Sequence, residues 1–218
     1  DTNINFLAKK LFKLGIELKE VRVLQDCKSS IIIAVKNMSK TFDYVFTCGG
    51  IGPTHDDITT ECIATAFDRD IVIYEEAKKK IKSYYKGLGK KLNTSAMRMA
   101  KIPSGSLLIE NNLTGAPGYN IENVYVMAGV PEIFQEMLEF IIPTLKTGQN
   151  IFTRNYRFLI GESEIAQPLR NLSKKFTNIK MGSYPFSNEK EYGVNIVFSG
   201  VSLDEIELAL LELREIIE

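Results

Sequence analysis

The stretch Thr47-Cys48-Gly49-Gly50-Ile51-Gly52-Pro53-Thr54-His55-Asp56-Asp57-Ile58-Thr59 decides how this chain is read. Ahead of it, Asp43 to Cys48 is rich in aromatic and β-branched residues, which predicts a strand. The glycines that end it permit positive φ and close backbone approach, so amide groups can face a ligand. Pro53 fixes its own φ, and Ile58, Cys62, Ile63 and Phe67 recur at helical spacing, which predicts a helix over Asp56 to Phe67. Such a helix N-terminus attracts anions.

Asp56 and Asp57 would repel a bare phosphate, and a bridging hard cation removes that conflict. Mg²⁺ is commonly held by one or two carboxylates together with phosphate oxygens, so both acids are candidate metal ligands. The plainer reading is a helix cap, since Thr54-His55-Asp56-Asp57 also fits a capping box. A cap needs no glycine run before it, however, and the run is neither the dinucleotide fingerprint nor a P-loop. His55, the single histidine, is either a proton-transfer group or a loop side chain that bonds nearby backbone.

Taken together with Asp1-Thr2-Asn3, Arg98-Met99-Ala100-Lys101-Ile102-Pro103, Gly115-Ala116-Pro117-Gly118 and Met127-Ala128-Gly129-Val130-Pro131, the loop resembles the MoaB/Mog molybdopterin-binding fold. The branch it resembles is the N-terminal region of competence/damage-inducible protein A, over nearly the whole chain. That resemblance implies a three-layer α/β domain with a mostly parallel sheet, binding molybdopterin or a nucleotide at the glycine loop. It implies that Asp57, with Asp26 at the end of a strand Val21 to Gln25, belongs to the ligand site. It also implies a strand and a loop ahead of Asp1. Members of this branch resemble pyrophosphatases that act on ADP-ribose or FAD and depend on a divalent metal such as Mg²⁺, Mn²⁺ or Co²⁺. A similar region precedes FAD synthase in eukaryotes.

The resulting site assigns Asp57, Asp56 and His55 to chemistry, with Asp56 and Asp57 on the metal. Gly49, Gly50, Gly52, Pro53, Thr54, Thr59 and Asp26 go to phosphate or substrate. Gly129-Val130-Pro131 follows a predicted strand and opens a helix, which puts Gly129 and Pro131 on the strand-end edge where open α/β sheets bind ligands. Arg98 suits a phosphate but equally suits an exposed helix surface. Hydrolysis of a dinucleotide pyrophosphate is the leading expectation. The alternative is a molybdopterin- or nucleotide-binding protein, or an adenylyl-transfer enzyme, because all of these need the same phosphate cradle.

The 218 residues leave room for one large or two modest domains, and 44% hydrophobic content supports a substantial core. Lys and Arg total 27 against 27 Asp and Glu, so no basic field recruits nucleic acid or anionic lipid. Cys27, Cys48 and Cys62 lack paired metal-ligand spacing and are odd in number, which points to a reducing cytoplasm. No apolar run is long enough for a membrane span. The resemblance makes a homo-oligomer, dimer or trimer, the expected assembly.

Residues 1–148 alternate helix and strand, as an α/β domain does. Asp1 or Thr2 can cap a first helix that Gly15 closes. Spacing favours a helix at Ile31 to Val35, with Ser29 and Ser30 as caps, over the strand that β propensity suggests. The lysines from Lys78 to Lys91 read as the wet face of a helix that packs Ile81, Tyr84 or Tyr85, and Leu88 inward. Pro131 starts a helix that runs to about Lys146. Residues 149–218 read as a smaller βαββα unit, KH-like in outline. Gly161-Glu162-Ser163-Glu164 lacks the second glycine of a nucleic-acid clamp, so this unit reads as a packing or oligomerisation domain. Leu208, Leu211 and Ile216 are expected on its last buried face.

Overall fold

The computed structural model describes residues 2–217, which form two units: 2–8 with 19–146, and 9–18 with 147–217. Asp1, the alternative helix cap, lies outside the described residues. Helix α1 (Thr2–Lys13) has residues in both units and is followed by Gly15, whose φ of +69° suits a residue without a side chain; the elements across residues 28–141 belong to the first unit. α2 (Lys28–Thr41) confirms helical spacing over β propensity, because Ile31, Ala34 and Val35 fall on one buried face. Its N-cap is Cys27 rather than Ser29 or Ser30, and Cys27 makes no side-chain cap.

β1 (Val45–Cys48) pairs in parallel with β6 (Val124–Met127), and each carries one face inward. Val45, Val124 and Val126 enter the core with Ile63 of α3 (Thr59–Ala66) and Ile81 of α4 (Glu75–Gly87). On the opposite face Phe46 stacks on its cross-strand partner Tyr125 at 5.3 Å between centroids, a pair worth roughly 0.2–1 kcal/mol. The sheet continues antiparallel through β5 (Gly118–Ile121) to β4 (Leu107–Ile109). That reversal follows from Glu122-Asn123, a connection only hairpin partners can use, with Glu122 at φ +52°. Asn123 then donates to the carbonyls of Ser39 and Phe42 at the end of α2, at 2.9 and 2.7 Å. β2 (Ile71–Ile73) and β3 (Lys101–Pro103) form a separate antiparallel pair, and α5 (Thr94–Arg98) precedes β3.

Three expectations are corrected here. Val21 to Gln25 is extended but is not a strand, because it has no ladder partner among the described residues; Val23 is 89% exposed. Leu88 is exposed, since α4 ends at Gly87, while Ile81 is fully buried. The helix at Pro131 stops at Ile141 (α6) and tightens into a 3-10 turn over Ile142–Thr144, where Pro143 cannot donate to an α-helical bond.

The second unit comprises β7 (Phe152–Phe158), α7 (Glu162–Lys175), β8 (Lys180–Ser187), β9 (Tyr192–Gly200) and α8 (Leu203–Ile217), with an antiparallel sheet in the order β7-β9-β8. This is the expected smaller α+β unit. Its core joins Val194, Ile196 and Phe198 of β9 to Ile165 and Leu172 of α7. The buried face of α8 is Ile206, Ala209 and Leu213; Leu208, Leu211 and Ile216 are exposed. No described helix is long and apolar enough to cross a membrane. All three cysteines are free thiols.

Candidate functional site

The end of β1 is held to β6 by the Gly49 amide, which donates to the Met127 carbonyl at 2.9 Å. The chain then turns through φ +95° at Gly49 and +72° at Gly50, values that favour glycine. Among the described residues, the amides of Gly50, Ile51 and Gly52 have no hydrogen-bond partner, so three successive donors stand ready for an acceptor. The loop closes where the Thr59 amide donates to the Gly50 carbonyl at 3.0 Å. A Cβ on Gly50 would lie 2.1 Å from the Thr59 hydroxyl, so buried Thr59 packs against the loop from below.

The acids do not open the helix. α3 begins at Thr59 with Ile58 as its N-cap, and Asp56 and Asp57 belong to the turn before it. The reason is local: the Thr54 amide and hydroxyl donate to Asp57 Oδ2 at 2.8 and 2.6 Å, and this closes a turn of its own. The Asp57 carboxylate lies over Gly52, where a Cβ would come within 2.7 Å of Oδ2. Thr54 thus occupies Oδ2 and leaves Oδ1 unengaged among the described residues.

Asp56 is exposed, and its carboxyl is held below the usual carboxylate range, first by the Thr54 hydroxyl, then by its own amide, with weaker help from His55 and Arg98. That hydroxyl has one proton, so it serves one acid at a time, and the geometry gives it to Asp57. His55 has a side chain 99% exposed, with Nδ1 3.9 Å from Asp56 Oδ1.

Arg98 is neither a free surface arginine nor a bare phosphate contact. From the end of α5 it donates to the Thr54 carbonyl at 2.7 Å and, at 3.5 Å, to that of Asp57, so it clamps both ends of the acid turn. Asn93 caps α5 by accepting from the Ala96 amide at 2.8 Å. Asn3, buried in α1, spends its amide nitrogen on Cys48 Sγ at 3.0 Å and the Gly129 carbonyl at 2.9 Å, fastening the ends of β1 and β6. Gly49 and Gly129 touch backbone to backbone: a Cβ on Gly129 would lie 3.3 Å from Gly49 Cα.

A cleft beside the turn is lined by Gly52, Asp57, Thr60, Glu61, Arg98 and Tyr119, among others. Its remaining wall includes Ile51, Met99, Lys101 and Pro117. Glu61 is ion-paired to Lys28 of α2 at 2.8 Å, and this pairing lowers its pKa. The structure therefore gathers Gly49, Gly50, Gly52, Pro53, Thr54, Asp57, Thr59 and Gly129 around one strand end. Pro131 is exposed at the first turn of α6, and Asp26 is exposed ahead of α2; neither lines the cleft, nor do His55 and Asp56. Sequence reasoning gave no role to Asn3, Thr60, Glu61, Lys101 or Tyr119. Asn3 and Lys101 did lie inside quoted motifs.

No group of three or more His, Cys, Asp or Glu side chains that could hold a metal exists among the described residues. Of the two carboxylates lining the cleft Glu61 is spent on Lys28, and Asp57 beside exposed Asp56 suits a hard cation that arrives with phosphate oxygens rather than a closed protein cage.

Residues 1–147 match the family model described as "Probable molybdopterin binding domain", and residues 150–218 match "FAD synthase, middle domain". Similar proteins include one from Archaeoglobus fulgidus, 31% identical over all of this chain and 90% of its own length. A "Probable FAD synthase" of Caenorhabditis elegans is 30% identical over all of this chain and 46% of its own. A "Putative competence-damage inducible protein" of Bacillus cereus is 29% identical over the whole chain and 54% of its own. The chain thus spans about half the length of the latter two. The crystal structure of the protein CinA, of unknown function, from Thermoplasma acidophilum superposes with a TM-score of 0.60 at 30% identity, covering 66% of this chain and 87% of that one. With a loop of open glycine amides and an acid turn inside the matched region, the chain belongs to the molybdopterin-binding domain family, in the company of competence-damage inducible proteins.

Proposed function

We propose that this chain binds a nucleotide through its diphosphate and hydrolyses the pyrophosphate bond of an ADP-ribose- or FAD-type dinucleotide. The observation that carries the proposal is the set of three unpartnered amides, Gly50 to Gly52, next to an Asp57 carboxylate whose Oδ1 is unengaged. The amides would take phosphate oxygens, as backbone nests do. Water would add to one phosphorus and form a new P–O bond, while the bridging P–O bond breaks and its oxygen leaves with the other phosphate. Asp57 Oδ1 would accept the proton that the water gives up. A divalent cation, held by Asp56 together with the phosphates, would supply charge neutralisation. The FAD synthase-type match of residues 150–218 and the FAD synthase name of a relative support a nucleotide as substrate.

A second reading, binding of molybdopterin or a nucleotide without hydrolysis, or adenylyl transfer to the pterin, is favoured by the description of the family model over residues 1–147. Product analysis separates the two. The full-length protein is incubated with ADP-ribose, with FAD, and with molybdopterin plus ATP, each with Mg²⁺, Mn²⁺ or Co²⁺. AMP from ADP-ribose or FAD supports hydrolysis. Adenylated pterin supports transfer, and binding without turnover supports a carrier; either result without AMP release overturns the hydrolase.

A further inference from the structure

β2 is apolar at all of its positions, Ile71, Val72 and Ile73, and each of the three is 39–47% exposed. The edge strands of the larger sheet differ, since β1 buries Val45 and β4 buries Ile109. In the second unit the edges are guarded: β7 carries Arg154 and Arg157, and β8 carries Lys180 and Pro185. Neither charge nor proline interrupts β2, and β3 is its one ladder neighbour among the described residues. Such an edge is a template for another strand.

The bonds at its two ends fix which main-chain groups are free. The Asp70 carbonyl accepts from the Ser104 amide at 2.8 Å, and the Tyr74 amide donates to the Ala100 carbonyl at 2.9 Å. Bonding in an antiparallel pair alternates, so Asp70, Val72 and Tyr74 turn their main-chain groups toward β3 while Ile71 and Ile73 turn theirs outward. Pro103, opposite Ile71, fits that alternation, because its position needs no amide directed at β2.

We infer that β2 is the seam of a two-fold dimer, in which it pairs antiparallel with β2 of a second copy and Val72 faces Val72. In that register Ile71 of each copy lies against Ile73 of the other, and their outward groups bond reciprocally. The other registers of the same parity centre on Ile71 or Ile73 and lay Arg69 or Glu75 against an apolar residue, so hydrophobic matching selects the one centred on Val72. The centred register also brings Arg69 of one copy across from Glu75 of the other at both ends of the seam. Both side chains are exposed; within the chain Arg69 lies a loose 3.8 Å from Glu122, and Glu75 shares its carboxylate with Lys78 at 3.0 Å. The surface is therefore self-complementary in shape and charge, as a two-fold interface requires. The seam is short, so the dimer is a transient one that forms at micromolar concentration.

Sedimentation equilibrium of the full chain gives the monomer–dimer constant for the parent, for Ile73→Lys, for Arg69→Glu, and for Arg69→Glu combined with Glu75→Arg, while thermal melting checks that each folds. Ile73→Lys, at an exposed site, puts a charge into the seam from both copies and should weaken association roughly tenfold or more. Arg69→Glu sets like charges across both ends and should weaken it a few-fold. Adding Glu75→Arg should restore the parent constant, because the pairs are then exchanged rather than broken. A parent that stays monomeric up to about 1 mM overturns the seam, as does a dimer that Ile73→Lys leaves intact. A double variant no better than Arg69→Glu alone overturns the register centred on Val72. Strong protection of the Ile71 and Ile73 amides from hydrogen exchange in a dilute monomer would put another segment of the same chain on this edge, and that also overturns the dimer.

Discussion

β1 and β6 lie side by side, run the same way, end in register at Cys48 and Met127, and both give way to a helix through glycine, yet only the β1 ending builds a turn closed on a carboxylate. The β6 ending uses three residues, Ala128 to Val130, before α6. There the Val130 carbonyl accepts from Phe134, the Gly129 carbonyl from Asn3, and Pro131 starts the helix without needing an amide partner. The β1 ending uses ten residues, Gly49 to Ile58; in it Thr54 donates twice to Asp57 Oδ2, and the successive amides of Gly50, Ile51 and Gly52 have no partner among the described residues. The lesson is that length between strand and helix gives a hydroxyl and a carboxylate room to build a turn of their own over the glycines, room that a three-residue link lacks.

Replacing Asp57 with Asn should break this contrast most severely. Turnover of the dinucleotide should fall by about 10²–10³-fold, in the range for removal of a key polar group from an active site, while the melting point stays nearly constant because the amide oxygen can still accept from Thr54. Full activity would remove Asp57 from the mechanism. Gly52→Ala is expected to cost roughly 10- to 100-fold, since its Cβ would meet Asp57 Oδ2 at 2.7 Å and a displacement of about 1 Å is expensive in catalysis. Gly129→Ala, whose Cβ would meet Gly49 Cα at 3.3 Å and its nitrogen at 3.8 Å, should cost a few-fold in the same assay. If the two glycine variants behave alike, the distinction between the strand ends fails.

Arg98→Ala should lower kcat by about tenfold by loosening the acid turn, with pyrophosphate affinity changed less than kcat. A loss confined to affinity would make Arg98 a phosphate ligand instead. Smallest of all, Pro131→Ala should lower stability in a urea melt by about 0.5–1 kcal/mol through chain entropy and leave turnover within about twofold.

Where spacing is unambiguous, the sequence was a good guide. Ile31, Ala34 and Val35 outvoted their own β propensity, and the second unit has the βαββα order that its pattern predicts. α8 was harder because Ile206, Leu208, Ala209, Leu211, Leu213 and Ile216 surround the helix, so periodicity does not single out one buried face. β3, β4 and β5 are three or four residues long, too short for alternation to register. Val21 to Gln25 has the composition of a strand, but a strand also needs a neighbour, which composition does not report. Around the site, the glycines and acids stood out as a local motif. The contacts made by Arg98 and Asn3 did not, because they bridge 44 and 126 positions respectively and leave no periodic trace.

The two hydrogens on the Asn3 amide have a consequence for anyone trimming or redesigning this chain. They act as a rivet through the mouth of the sheet, set by a residue far from both strand ends in sequence. A fragment that starts after the first helix would retain every letter of the glycine run and lose the fastener that fixes its width. Preserving the motif and preserving the aperture are therefore separate requirements.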